Sequence, residues 1–313
     1  MMKFRVFFLV MFFSYQIFAQ NGNNEIIITG TRFTYSLIER WAEAFCAQYP
    51  QVRIRIIPRG AINADSAHLI INAHKLHPEE IRGGDYVINV ARYAILPIAN
   101  ANHPLLAEWT KKPLKTKTLQ QLYFKKYDIF SEEEESKKSK KEYKPTVYTR
   151  AQKACAPLTF ARYYGFQQED IFGKLIGGDD KYLITAIEKD TNGITFSPVS
   201  IMFDLKTRRI RPTIAAIPMD FNENGKLDED ENFSSLDELL KRLENGRVNV
   251  PIEYINISYR GQLIEKYPYI YQFLTWILSE GQNYNHQEGF LKFDSQTSLF
   301  KQIEILEASK GGR

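Results

Sequence analysis

The residues of the sequence best suited to chemistry lie in the stretch "DFNENGKLDEDE", Asp220 to Glu231. A hard cation takes oxygen ligands from the first, third, fifth, seventh, ninth and twelfth positions of a twelve-residue loop, the seventh through its carbonyl, with glycine sixth for the sharp turn. Here those positions are Asp220, Asn222, Asn224, Lys226, Asp228 and Glu231, with Gly225 at the turn. The expectation is a calcium site. "TIAAIP" before the loop reads as a strand, and "SSLDELLKRLENG" after it reads as a helix, with Ser235 and Glu238 at capping-box spacing and a stop at Gly246. A single loop lacks the paired hand through which calcium sensors open a groove, so the expected role is structural. The alternative is an acidic turn that holds no metal.

His68, His74 and His77 invite a transition-metal reading, because imidazole is a common ligand, but their spacing matches no recognised ligand pattern. Cys46 and Cys155 lie in apolar contexts, "AEAFCAQY" and "KACAPLTF". They read as buried free thiols, with a single bridge as the alternative. A hydrolase needs a nucleophile beside an oriented base. Neither Cys155 nor any serine lies in a recognised nucleophile motif, so no enzyme is expected.

The elements that would position these residues are legible in outline. "EIIITG" is a β-rich run, "SLIERWAEAFCAQYP" has helical apolar spacing and a proline stop, and "VRIRIIP" alternates as a strand. This βαβ order argues for a parallel sheet. "HLIINA" continues it, followed by the helix-prone "HPEEIRGG" and by "YVINVARYAILPIAN", read as a buried strand pair. "LKTKTLQQLYFKKY" is an amphipathic helix, and "SEEEESKKSKKEYK", Ser131 to Lys144, is a solvated charged loop or a docking surface. A second α/β stretch runs from "PTVYTR" through the helix "PLTFARYYG" to the strand "GITFSPVSIMFD". At the end come "INISYRG" and an aromatic-rich helix within "YPYIYQFLTWILSEGQNYNHQEGFLKF".

The 313 residues are 44% hydrophobic and 25% charged, enough for two globular lobes, and the net charge of +4 comes with no basic, aromatic-interleaved groove for nucleic acid. "MMKFRVFFLVMFFSYQIFAQ" reads as a cleavable signal peptide over residues 1–20, which predicts export to the periplasm.

In the order "ITGTRFTYSLIERWAEAFCAQYPQVRIRI", "HKLHPEEIRGG", "YTRAQKACAPLTFARYYG", "IPMDFNENGKLDEDENFSSLDELLKRLENG" and "FLTWILSEGQNYNHQEGFLKF", the chain resembles periplasmic substrate-binding proteins of the phosphate-type ABC-transporter family, in a branch with a calcium-like insertion. The resemblance implies an α/β, two-lobe type II binding-protein fold joined by two crossing strands. Lobe 1 would comprise residues 21–99 and 256–313, and lobe 2 residues 100–255, carrying the loop 220–231. It implies phosphate or another small oxyanion in the cleft, held at two helix starts. Those starts are Thr31, Arg32, Phe33 and Thr34, and the turn after Arg150; His68 stands where the family has an aspartate. Partners would be an inner-membrane ABC permease or another envelope protein. The departures are Arg32 in a turn that the family fills with small and hydroxyl residues, and "AQKACAPLTF", where alanines and Pro157 supply no side-chain donors. Such erosion supports an alternative: a degenerate binding fold acting as an interaction subunit without a small-molecule ligand.

Overall fold

The chain begins its described structure on a parallel βαβ unit. A computed structural model describes residues 24–124, 144–231 and 233–310; the expected signal peptide and residues 131–143 of the charged loop lie outside them. β1 (Glu25–Gly30) is followed by α1 (Tyr35–Gln48), β2 (Arg53–Ile56) and β3 (Leu69–Asn72). α1 buries Leu37, Ile38, Trp41 and Phe45, a single stripe at helical spacing, and Trp41 Nε1 donates to the Gly281 carbonyl at 2.8 Å.

β4 (Asp85–Asn100) is one continuous strand of sixteen residues, where a pair of strands was expected. The run contains no glycine and no turn dipeptide to reverse it, and Pro97 keeps its place in the strand with its carbonyl accepting from Ile217 N–H at 3.0 Å. α2 (Leu106–Lys111), α3 (Thr116–Tyr123), β5 (Thr146–Arg150), α4 (Cys155–Tyr163), β6 (Lys174–Ile176), α5 (Lys181–Glu188) and β7 (Gly193–Pro198) follow. "GITFSPVSIMFD" is therefore not one strand: it breaks at Pro198 into β7, the short α6 (Val199–Met202) and β8 (Phe203–Asp204). β9 (Arg209–Ile210), β10 (Ile214–Ala216), α7 (Leu236–Glu244), β11 (Ile252–Arg260), α8 (Gly261–Lys266), α9 (Pro268–Leu278) and α10 (Gln296–Ala308) complete the described elements. "HPEEIRGG" forms only a short turn of helix, Pro78–Glu80. Ser235 stands at the N-cap of α7 but its side chain makes no capping bond.

The main sheet has the order β2-β1-β3-β11-β4-β7-β5-β6, with β10 also on β4. β1 pairs in parallel with β2 and β3; β11 runs antiparallel to both β3 and β4. The first part of β4 pairs with β11 as far as Ala94, and from Ile95 onward it pairs with β7. β4 and β11 are thus the two crossing strands. The hand-over at Ala94 and Ile95 falls before the expected boundary at residue 99, because one strand is long enough to serve both halves of the sheet. One buried core packs α1, α9 and α10 on the first half and extends to α4, while a second packs α5 and α7 against the other end of β4.

Candidate functional site

Between the halves lies a cleft floored by the chain that follows β1 and β3 and walled by the start of α4. Two cavities of about 420 and 450 Å³ adjoin in it, and Arg59, Lys153, Ala154 and Cys155 line both. The turn out of β1 requires Gly30, whose φ is +143° and whose missing Cβ would stand 2.1 Å from the Ile71 carbonyl oxygen. The turn into α4 is held by Gln168, which accepts from Ala154 N–H at 3.0 Å and donates to the Gln152 carbonyl at 3.0 Å.

Of the residues expected to hold a ligand, Thr31, Arg32 and Arg150 line the 450 Å³ cavity. Arg32 is exposed, with Nη2 3.5 Å from the Arg59 carbonyl oxygen. Thr31 is buried and its hydroxyl lies 3.2 Å from Cys155 Sγ. Arg150 is not free to grip an anion: Nη1 donates to Asp180 Oδ1 at 2.8 Å and Nη2 donates to the Gly178 carbonyl. Its Nε is buried and has no partner among the described residues. Burial pushes the Asp180 carboxyl above the usual carboxylate range, with Arg150 opposing that shift.

The remaining expectations are corrected by packing. Phe33 is a core side chain against the Tyr93 ring, with centroids 4.8 Å apart. Thr34 is fully buried and donates to the Thr31 carbonyl at 2.7 Å, so it fixes the turn and lines neither cleft cavity. His68 lines a different cavity, accepts from Ile27 N–H at 3.1 Å and packs at a tilt against the Tyr267 ring. Parity does not separate it from the cleft, since His68 alternates in step with Ile70, Asn72 and His74; it stands before the start of β3 while His74 follows its end, and that displacement along the strand puts it beside the other cavity.

The three histidines diverge. His77 meets the Arg162 guanidinium, His68 meets Tyr267, and His74 alone enters the cleft. Among the described residues no three His, Cys, Asp or Glu side chains are grouped to hold a metal.

His74 reveals what residue spacing missed. Its Nδ1 lies 3.2 Å from Cys155 Sγ and its Nε2 lies 3.1 Å from Glu80 Oε1. Asn256 Nδ2 donates to the His74 carbonyl at 2.9 Å, and Glu80 is itself set by the His77 N–H at 2.9 Å. Sγ is therefore faced by an imidazole, by the Thr31 hydroxyl and by the Ala73 backbone N–H. Burial raises the Cys155 thiol, but these groups more than offset it and hold it below its ordinary value. Burial works against the His74 imidazolium too, yet Cys155 and Glu80 outweigh that effect and raise it. Cys46 shows the contrast: it is a free thiol, half-buried, and desolvation pushes it up. Cys155 is also free, so the two cysteines do not pair.

The loop Asp220–Glu231 lies away from the cleft, between β10 and α7. Gly225 has φ +83°, as the turn requires. Asp220 accepts from the N–H groups of Asn224 and Gly225, and Glu231 from those of Phe221 and Asp228. Asn222 and Asn224 both donate to Asp228 Oδ2, and Lys226 N–H donates to Asn224 Oδ1. Asp220 and Glu231 are buried, and no lysine or arginine among the described residues pairs with either. The donor set is all oxygen, which suits a hard cation.

A sheet shared through two crossing strands, with helices on both halves and a cleft between them, decides the architecture. The fold is that of the type II periplasmic binding proteins. This binding-protein fold is shared with a phosphate ABC transporter substrate-binding protein with bound phosphate from Clostridium perfringens, at TM-score 0.63 and 18% identity over 86% of this chain and 100% of that one. An ABC-type phosphate transport receptor from Vibrio cholerae matches at TM-score 0.54 and 14% identity, over 86% of this chain and 100% of that one. No protein-family model matches the sequence, and no curated protein matches it. Among the described residues no helix is long and apolar enough to cross a membrane.

Proposed function

We propose that this protein is a periplasmic solute-binding protein that holds a phosphate-like oxyanion in the interlobe cleft. The observation that carries the reading is the charge around the 450 Å³ cavity: four cationic side chains, Arg32, Arg59, Arg150 and Lys153, against two carboxylates, Asp179 and Asp180. The start of α4 opens on the same space, and helix N-termini favour anions through unpaired N–H groups and the helix dipole. With Arg150 held by Asp180, the work of attraction falls to Arg32, Arg59 and Lys153. An ABC permease in the inner membrane is the partner this reading implies; the two phosphate proteins that share the fold carry ABC-transport names.

Calorimetric titration of the mature protein, calcium saturating, with phosphate and then sulfate tests it. Micromolar binding weakened in Arg32→Ala and Lys153→Ala supports the receptor; no heat with any small oxyanion overturns it. One observation favours the second reading, an envelope interaction subunit: the side chains of Thr31, Thr34 and Arg150 are spent on internal bonds.

The loop of residues Asp220, Asn222, Asn224, Lys226, Asp228 and Glu231 is proposed as a structural calcium site. Two buried carboxylates with which no lysine or arginine among the described residues is seen to pair support this, since buried negative charge needs a counter-charge.

A further inference from the structure

We propose that Cys155, His74 and Glu80 form a working nucleophile, base and positioning carboxylate, able to transfer the acyl group of a small ester or amide that carries its own negative charge. Three independent observations meet here. The first is geometry: a nucleophile within reach of a base, and the base in turn held by a third group, at 3.2 and 3.1 Å. The second is placement: Cys155 is the first residue of the nine-residue α4, where its own N–H and that of Ala156 have no partner within the helix. Those N–H groups can stabilise both a thiolate and the oxyanion of a tetrahedral intermediate. The third is access: Cys155 lines both cavities, and the buried Thr29 hydroxyl, which has no partner among the described residues, lines the 420 Å³ one.

A cysteine that merely packs as a small hydrophobe gathers apolar neighbours. Cys155 does border the apolar core, but polar groups converge on its sulfur, although 7% exposure places the residue largely out of water. Arg59 and Lys153 line both cavities and select a substrate with a free carboxylate or phosphate.

The steps balance without a further reagent. The Cys155 thiolate attacks the carbonyl carbon, a C–S bond forms, and the carbonyl electron pair moves onto oxygen. Collapse breaks the bond to the leaving oxygen or nitrogen, which takes the proton from the His74 imidazolium, leaving a thioester. His74 then removes a proton from water as the water oxygen attacks. Collapse of the second intermediate breaks the C–S bond, releases the acid, and restores thiolate and imidazolium. Glu80 takes no part in the bond changes; it holds the imidazole with Nδ1 toward sulfur.

The test uses the mature protein with para-nitrophenyl acetate and the mono-para-nitrophenyl ester of glutaric acid. The expected result is a burst of para-nitrophenol equal to the protein concentration, with acyl mass on the Cys155 peptide and none on Cys46. Cys155→Ser abolishes the burst, and His74→Gln slows it by ~100-fold, the ordinary loss on removing a general base. The glutarate ester reacts faster than the acetate, and Lys153→Ala removes that preference. Glu80→Gln moves the alkylation profile of Cys155 by iodoacetamide to higher pH, with Lys153, Arg59, His74 and the Tyr93 phenol as the other ionisable groups around sulfur. A burst that survives in Cys155→Ser, an unchanged rate in His74→Gln, or equal rates for the two esters overturns the proposal. Should His74→Gln fail to fold, the wild type decides: Cys46 and Cys155 acylated equally fast overturns it. Phosphate calorimetry on Cys155→Ser judges the oxyanion reading separately, so either idea can fail alone.

Discussion

Arg150 shows how one neighbour redirects a residue whose type alone suggests anion binding. Its guanidinium is an anion grip by chemistry, but Asp180 occupies it at 2.8 Å in a buried position. Asp180→Asn should release that grip and tighten phosphate binding by about tenfold, roughly the value of one recovered charge-assisted bond. Weaker binding, measured by calorimetry, would instead make Asp180 the residue that keeps Arg150 in place. Cys155 is a second case. With its thiol held down by His74, Thr31 and the Ala73 N–H against the effect of burial, and the Cys46 thiol pushed up by desolvation, iodoacetamide near neutral pH should modify Cys155 first. Peptide mass spectrometry over a time course reads the order directly. Neither case could be read from the chain, because Cys155 and His74 stand 81 residues apart and no motif links them.

Turns and helix ends carry the next level. Gly30 closes β1 with its backbone pressed on Ile71, in a φ region that an L side chain rarely adopts. Gly30→Ala should cost on the order of 2–4 kcal/mol in a urea unfolding experiment, combining strain with a backbone clash. A loss below ~1 kcal/mol would show that the turn can shift and that Thr31 and Arg32 move with it. At the end of α7, Glu244 accepts from Lys292 N–H at 2.8 Å and meets His286 Nε2 at 2.8 Å, tying the second lobe to the segment after α9. Burial raises its carboxyl, but these two partners more than offset that and lower it below its ordinary value. A depressed acid adds stability above its unfolded pKa and loses it as pH falls through the folded one. The gap in melting temperature between wild type and Glu244→Gln should therefore be full near neutral pH and close below the ordinary carboxylate range. A gap that stays constant to low pH would remove the carboxylate from that account.

For the whole molecule the calcium loop makes the clearest prediction. Calcium that binds only the folded chain raises stability by about 2.7 kcal/mol at a free concentration of 100 times the dissociation constant. Calcium should thus raise the melting temperature, a chelator should lower it, and Glu231→Gln should abolish the difference. Because the loop sits between β10 and α7 and none of its residues lines the two cleft cavities, chelation should leave phosphate affinity nearly unchanged in folded protein. Affinity that collapses with chelation would mean that the loop governs the cleft.

Local pattern fixed a good deal of this protein. The stripe Leu37, Ile38, Trp41 and Phe45 specifies α1 by period, the glycine and oxygen spacing of Asp220 to Glu231 specifies the loop, and βαβ order specifies the parallel pairing of β1 with β2 and β3. These are short-range constraints, set by neighbours within a few turns of chain. Tertiary structure alone decided that β4 runs unbroken through both lobes, that His68 faces another cavity while His74 enters the cleft, that Asp180 captures Arg150, and that Cys155, His74 and Glu80 meet. Each of these depends on which residues long-range strand pairing and helix packing bring together, and separation along the chain carries no record of that distance.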